Sequence, residues 1–121
     1  MKIELCAGTA TAVKMASQLG FDRVELCQML EIGGITPSFG FQQFSSAIIE
    51  THVLIRPRGG GFLYSGDEKE LMLKDIVASR EIGVHGVVVG ALDESNRLDA
   101  AWLESVAAVS GKMELTFHKA F

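Results

Sequence analysis

The sequence predicts an α/β protein of the parallel (β/α)8 TIM-barrel type, with the 121 residues supplying four βα units and a fifth strand. Three observations lead there. Short apolar runs alternate strictly with amphipathic helical stretches, the pattern of a parallel sheet built from right-handed βαβ units. The runs carry one apolar and one charged side at period two. Neither G-x-G-x-x-G nor G-x-x-x-x-G-K-[ST] follows a strand, so the usual signatures of a doubly wound nucleotide binder are missing.

Each element has its own justification in the residues. Residues 3–7 form a first strand, and Thr9 or Thr11 caps a helix to Leu19 with Ala12, Met15, Ala16 and Leu19 on one face. Gly20 stops that helix. Residues 23–27 form the second strand. Residues 41–50 form a short helix striped by Phe41, Phe44, Ile48 and Ile49, and residues 52–57 the third strand. Ser65 or Asp67 opens a helix to Ile82 that Gly83 ends. Residues 86–90 form a wholly apolar fourth strand. Asp99 caps a helix bearing Trp102, Leu103, Val106 and Val109, and residues 113–118 form the fifth strand.

Composition narrows the function classes. With 11 basic and 15 acidic residues the net charge is -4, and only Arg56 and Arg58 cluster, which argues against a nucleic-acid partner. No apolar run reaches the length of a membrane span. Met1-Lys2 leads straight into a strand with no leader pattern, so a cytoplasmic protein with two free thiols is expected. Residues 1–121 read as a single, partial barrel domain.

Side-chain parity decides between barrel and open sheet. Ile3, Leu5 and Ala7 oppose Glu4 and Cys6; Val24 and Leu26 oppose Arg23, Glu25 and Cys27. Val53 and Ile55 oppose His52, Leu54 and Arg56; Met113, Leu115 and Phe117 oppose Glu114, Thr116 and His118. Strands covered by helices on both faces read as nearly continuous apolar runs. A barrel, whose inner face meets a confined interior, accommodates the charged side. Charges placed there must be paired, since breaking a buried pair costs about 3–5 kcal/mol. Glu25 with Arg56 is the expected pair.

The stretch Arg56-Pro57-Arg58-Gly59-Gly60-Gly61 closes the third strand. Barrel sites lie at strand C-termini. Two guanidinium forks beside glycine amides suit a carboxylate or phosphate. The alternative is an internal salt-bridge cluster whose glycines only make the turn. Arg23, Arg56, Arg58, Gly59 and Gly60 are the candidate ligand-binding residues.

Four segments then resemble the CutC family: Glu25-Leu26-Cys27, the run from Gly33 to Gly40, Ile55-Arg56-Pro57-Arg58-Gly59-Gly60, and Thr116-Phe117-His118-Lys119-Ala120-Phe121. The resemblance covers the whole chain, in order and with natural spacing. It implies a cytosolic copper homeostasis protein on a TIM-barrel fold. The chain departs from the family pattern at Gly61, where Asp is usual, and at Lys119, where Arg is usual; the segment from Gln28 to Ile32 is also less typical.

Two functions follow. Cys6 and Cys27 match the cysteines that the resemblance implicates in metal binding, and parity places both inside on adjacent strands. Soft thiolates select copper(I). The plainer alternative is two small buried hydrophobes. The second function is an enzyme acting on a small anionic metabolite, with the anion on Arg56 and Arg58, Glu25 or Glu4 as general base and His118 as acid or base. In either case the open first and fifth strands are an aggregation hazard. Truncation of a longer barrel or pairing with a second copy would explain them, and a homo-oligomer is expected.

Overall fold

The computed structural model describes residues 1–118. Strands β1 (Glu4–Ala7), β2 (Arg23–Leu26), β3 (Glu50–Ile55), β4 (Gly86–Val89) and β5 (Glu114–Phe117) alternate with helices α1 (Ala10–Gln18), α2 (Phe39–Ser46), α3 (Gly66–Ile82) and α4 (Ala100–Val109). The strands pair in parallel in the spatial order β1-β2-β3-β4-β5. A doubly wound sheet reverses its strand order at a switch point. Here the order never reverses, so the sheet is an open arc of a barrel.

Local chemistry sets the helix starts. The side chains of Thr9, Ser38 and Asp99 accept the backbone N–H groups of Ala12, Phe41 and Trp102. Ser65 and Glu68 cap α3 reciprocally, satisfying two otherwise orphaned donors. Gly83 ends α3 at φ 95°, a conformation that glycine adopts without strain.

The helices cover one face of the sheet. Val53, Ile55, Val87 and Val89 pack under Met72, Ile76, Trp102, Leu103 and Val106. A second cluster joins Ala7, Val24 and Leu26 to Val13 and Ala16 of α1. Full burial of each such aliphatic side chain stabilises by about 1.5–3 kcal/mol. The apolar parity read from the strands is therefore the outer, helix-covered parity.

Two details differ from expectation. α1 presents Val13 and Ala16 to the sheet, while Met15 and Leu19 are 51% and 70% exposed. It packs on the edge of the sheet at β1 and β2 and on α2 to one side, leaving the flank that carries Met15 and Leu19 uncovered. α2 starts after Pro37, with Ser38 as cap, and stops at Ser46, so Glu50 opens β3 instead of closing a helix. A single 3-10 turn, Leu30–Ile32, was also not foreseen. No helix among the described residues is long and apolar enough to cross a membrane.

Candidate functional site

The register lays the inner-face residues out in rows. Glu4, Arg23 and Glu50 are neighbours across β1, β2 and β3. The next row runs Cys6, Glu25, His52, Gly86, Glu114. Above it, Leu54, Val88 and Thr116 align, and Cys27, just past β2, packs with Leu54 and Val88. Arg56 and His118 lie beyond the strand ends.

The lower rows form an ionic network. Arg23 Nε donates to Glu4 Oε2 at 2.7 Å, and its Nη1 lies 3.8 Å from Glu50 and 3.7 Å from Glu114. His52, 1% exposed, meets Glu50 at 2.9 Å through Nε2. That bond, more than the nearby cations, holds the Glu50 carboxyl below its ordinary range. The ligand atoms of Glu50, His52 and Glu114 all lie within 4.8 Å of one another, close enough to hold a metal ion. Arg23 already supplies a cation to both carboxylates. Imidazole and carboxylate donors also suit zinc-like ions better than a soft one.

The structure places Arg23, expected among the ligand-binding residues, in this network and not beside Arg56. A strand's length separates the two, because Arg23 opens β2 whereas Arg56 follows β3.

The arginine and glycine loop folds onto itself. Arg56 Nη1 donates to the carbonyls of Ile32 and Gly34, both at 3.0 Å, and Nη2 to that of Gly60 at 2.8 Å. Arg58 pairs with Glu68 at 2.6 Å, donates to the carbonyls of Gly59, Gly61 and Leu63, and stacks on Tyr64 at 4.8 Å. Gly59 and Gly60 thus serve through their carbonyl oxygens, and Gly60 through its φ of 88°. The expected use of their amides toward a ligand finds no support in this arrangement, and Arg58 is a brace. Gly61 has open space where a Cβ would stand, so the acid usual in the resembling family would fit there.

The expected Arg56–Glu25 ion pair is absent among the described residues. The chain past the strand end curls Arg56 over the loop carbonyls, leaving Glu25 two rows lower, level with His52. Both nevertheless line one cavity of about 220 Å³, together with Leu54, Phe62, Val88 and His118. Burial raises the Glu25 carboxyl, as does Glu4. Phe62, which nothing in the sequence pattern singled out, lies under the Arg56 guanidinium at 5.0 Å and meets the His118 ring edge-on at 5.3 Å.

The glycines of β4 make room for the imidazoles. A Cβ on Gly86 would stand 2.5 Å from the His52 ring, and one on Gly90 would stand 2.5 Å from the His118 ring. Parity counting on β4 alone finds these positions, since residues 86, 88 and 90 share the inner face.

Cys6 and Cys27 share the inner face of neighbouring strands, with Cys27 one pleat beyond Glu25, the residue opposite Cys6. Cys6 is exposed and Cys27 buried, because β1 is an open edge. Cys27 Sγ contacts the Ala7 carbonyl at 3.9 Å. Burial first, then Glu25 and Cys6, push the Cys27 thiol up to about 11. Burial, Glu25 and Glu4 raise Cys6 as well. Cys6 opens into a second cavity of about 220 Å³ beside Met29 and Glu31. Lys119 lies outside the described residues.

Comparison with known proteins completes the description. The CutC family model matches residues 1–121. A CutC family protein of Glaesserella parasuis serovar 5 is 44% identical over the whole chain, which covers 51% of that protein. One from Photorhabdus laumondii is 41% identical over 99% of the chain, covering 49% of it. A crystal structure from Streptococcus agalactiae, named for CutC and copper homeostasis, superposes with a TM-score of 0.91 at 33% identity, over 99% of this chain and 60% of that one. The chain spans about half the length of the curated relatives it matches.

Proposed function

This chain belongs to the CutC family, and from that premise we propose that it serves copper homeostasis by holding copper(I) as cargo between Cys6 and Cys27. One observation carries the proposal. Two thiols and two carboxylates, Glu4 and Glu25, share the inner face of β1 and β2, and each thiol is held protonated partly by the acids around it. Among the described residues no ion pair reaches Glu25 or either sulfur. A group of acids that repel one another's charge gains free energy when a cation replaces their protons. Thiolate donors make a soft monovalent ion the fitting one.

The exposed Cys6 is the entry ligand and the buried Cys27 the retaining one. Such a site works where thiols stay reduced, which supports a cytoplasmic location. The chain acts as one partial barrel domain. The open edges of β1 and β5 are covered in the working form by further β/α units, which a second copy supplies as a homo-oligomer. Sedimentation at micromolar concentration is expected to read more than one chain per particle; a monodisperse monomer with a cooperative melt contradicts that.

The copper test is a titration with copper(I) under reducing conditions, against a competing chelator. The wild type is expected to take up the ion tightly and the Cys6→Ser/Cys27→Ser variant to lose most of its affinity. Equal, weak uptake by both would remove the proposal.

A further inference from the structure

The two arginines of the loop differ in one respect. Arg58 faces Glu68, so its charge is met. Arg56 is 7% exposed and has no carboxylate partner among the described residues. Its three carbonyl acceptors solvate the guanidinium without neutralising it. Its Nε–H is buried and makes no well-aligned hydrogen bond, although the Tyr64 hydroxyl, also buried without a partner, lies near the guanidinium. A guanidinium is a permanent cation, and a buried, unpaired charge carries a large desolvation cost. An orphaned buried donor adds its own penalty.

Arg56 also lines the cavity that Glu25, Phe62 and His118 share. We propose that this cavity binds a small ligand through an oxyanion, carboxylate or phosphate, that pairs with Arg56. The ligand's other end offers a hydroxyl or amine hydrogen to Glu25. Phe62 holds the guanidinium plane from below, at 5.0 Å, so the fork is fixed before the ligand arrives. Leu54 and Val88 form an apolar floor. At about 220 Å³ the space equals that of about seven waters. It admits a short hydroxy acid or inorganic phosphate and excludes a nucleotide. The site uses neither sulfur and shares only Glu25 with the copper proposal, so ligand binding to the metal-free chain is tested separately from copper uptake.

The test follows the Arg56 Nε–H directly by proton–nitrogen NMR of the full chain, titrated with inorganic phosphate and separately with glycolate. The expected result is a saturable downfield shift of that resonance at millimolar ligand or below, with Arg80, an exposed arginine, unmoved. Saturation by phosphate alone or glycolate alone supports the site and identifies its preferred oxyanion. Glu25→Gln removes a negative charge from the same cavity and is expected to tighten phosphate binding about tenfold, or about 1.4 kcal/mol. Arg56→Lys, which keeps the charge and loses the fork, weakens it by a similar factor. A wild-type Arg56 resonance that stays still, or moves no more than that of Arg80, overturns the proposal whatever the variants do.

Discussion

Where the strands begin, Arg23 is shared among Glu4, Glu50 and Glu114, with His52 bonded alongside. Where they finish, Arg56 gives its hydrogen bonds to three loop carbonyls and meets no carboxylate among the described residues, while Glu25 and Cys6 sit lower, in the row that also holds His52. The same parity supplies both ends, yet only at the lower one do inner-face charges of opposite sign meet. Charges that satisfy each other tie strands together, and charges left incomplete on a rigid frame are poised for something else. In barrels of this type the lower face is the stabilising one and the upper face the working one.

Substitutions can break that contrast, and the largest effect is expected at the upper end. Arg56→Ala strands the carbonyls of Ile32, Gly34 and Gly60, and hydrogen bonds from a charged donor contribute about 1.5–3 kcal/mol each, not additively. A loss of about 3–5 kcal/mol in urea unfolding is expected. Glu25→Gln should show almost no coupling to it, under about 0.5 kcal/mol in a double-mutant cycle. A coupling several times larger would restore the Arg56–Glu25 pair.

Gly86→Ala comes next. Its Cβ collides with the His52 ring and, less closely, with the Glu114 carbonyl, and overpacking of this kind costs about 1–3 kcal/mol. The cost should shrink when His52→Ala is made in the same chain; an unchanged cost would mean that the imidazole does not need the glycine.

Arg23→Gln should cost less, about 0.5–1 kcal/mol, because its partners are partly exposed. Repeating the melt near 1 M salt, where the Debye length falls to about 3 Å, should erase most of the difference.

The smallest effects are in pH, and they have opposite signs at the two ends. The Glu50 carboxyl is lowered in the fold, so its stabilisation is present above its unfolded value of 4.5 and lost as pH falls through the lowered one. The Cys27 thiol is raised from 9.0 to about 11. Between those values the folded chain holds a proton that the unfolded chain has released, so stability falls as pH rises. Cys27→Ser should reduce the alkaline slope, with Cys6 supplying part of what remains, and leave the acid side unchanged, as read from urea midpoints across pH.

The fold was legible because parity and element order are local properties of the chain. Val53 and Ile55 against His52, Leu54 and Arg56 told the two faces of β3 apart without any neighbour. Pairing was less legible, because it depends on how high each side chain sits. Glu25 and Arg56 share a face but not a level, and the loop carbonyls that claim Arg56 come from residues 32, 34 and 60. Glu50 was hidden by the apolar residues before it, although stepping back by two from His52 reaches it. Phe62 had no signal, since a lone aromatic after glycines carries no periodicity.

The central claim is that copper belongs to the thiols and not to the cluster of Glu50, His52 and Glu114. X-ray absorption at the copper edge on the copper(I)-loaded chain tests it most directly. The account predicts a nearest shell dominated by sulfur in the wild type, and loss of that shell in the Cys6→Ser/Cys27→Ser variant. A wild-type shell of nitrogen and oxygen, unchanged in the double variant and abolished by His52→Ala, would put the metal on β3 and β5 instead of β1 and β2 and contradict it.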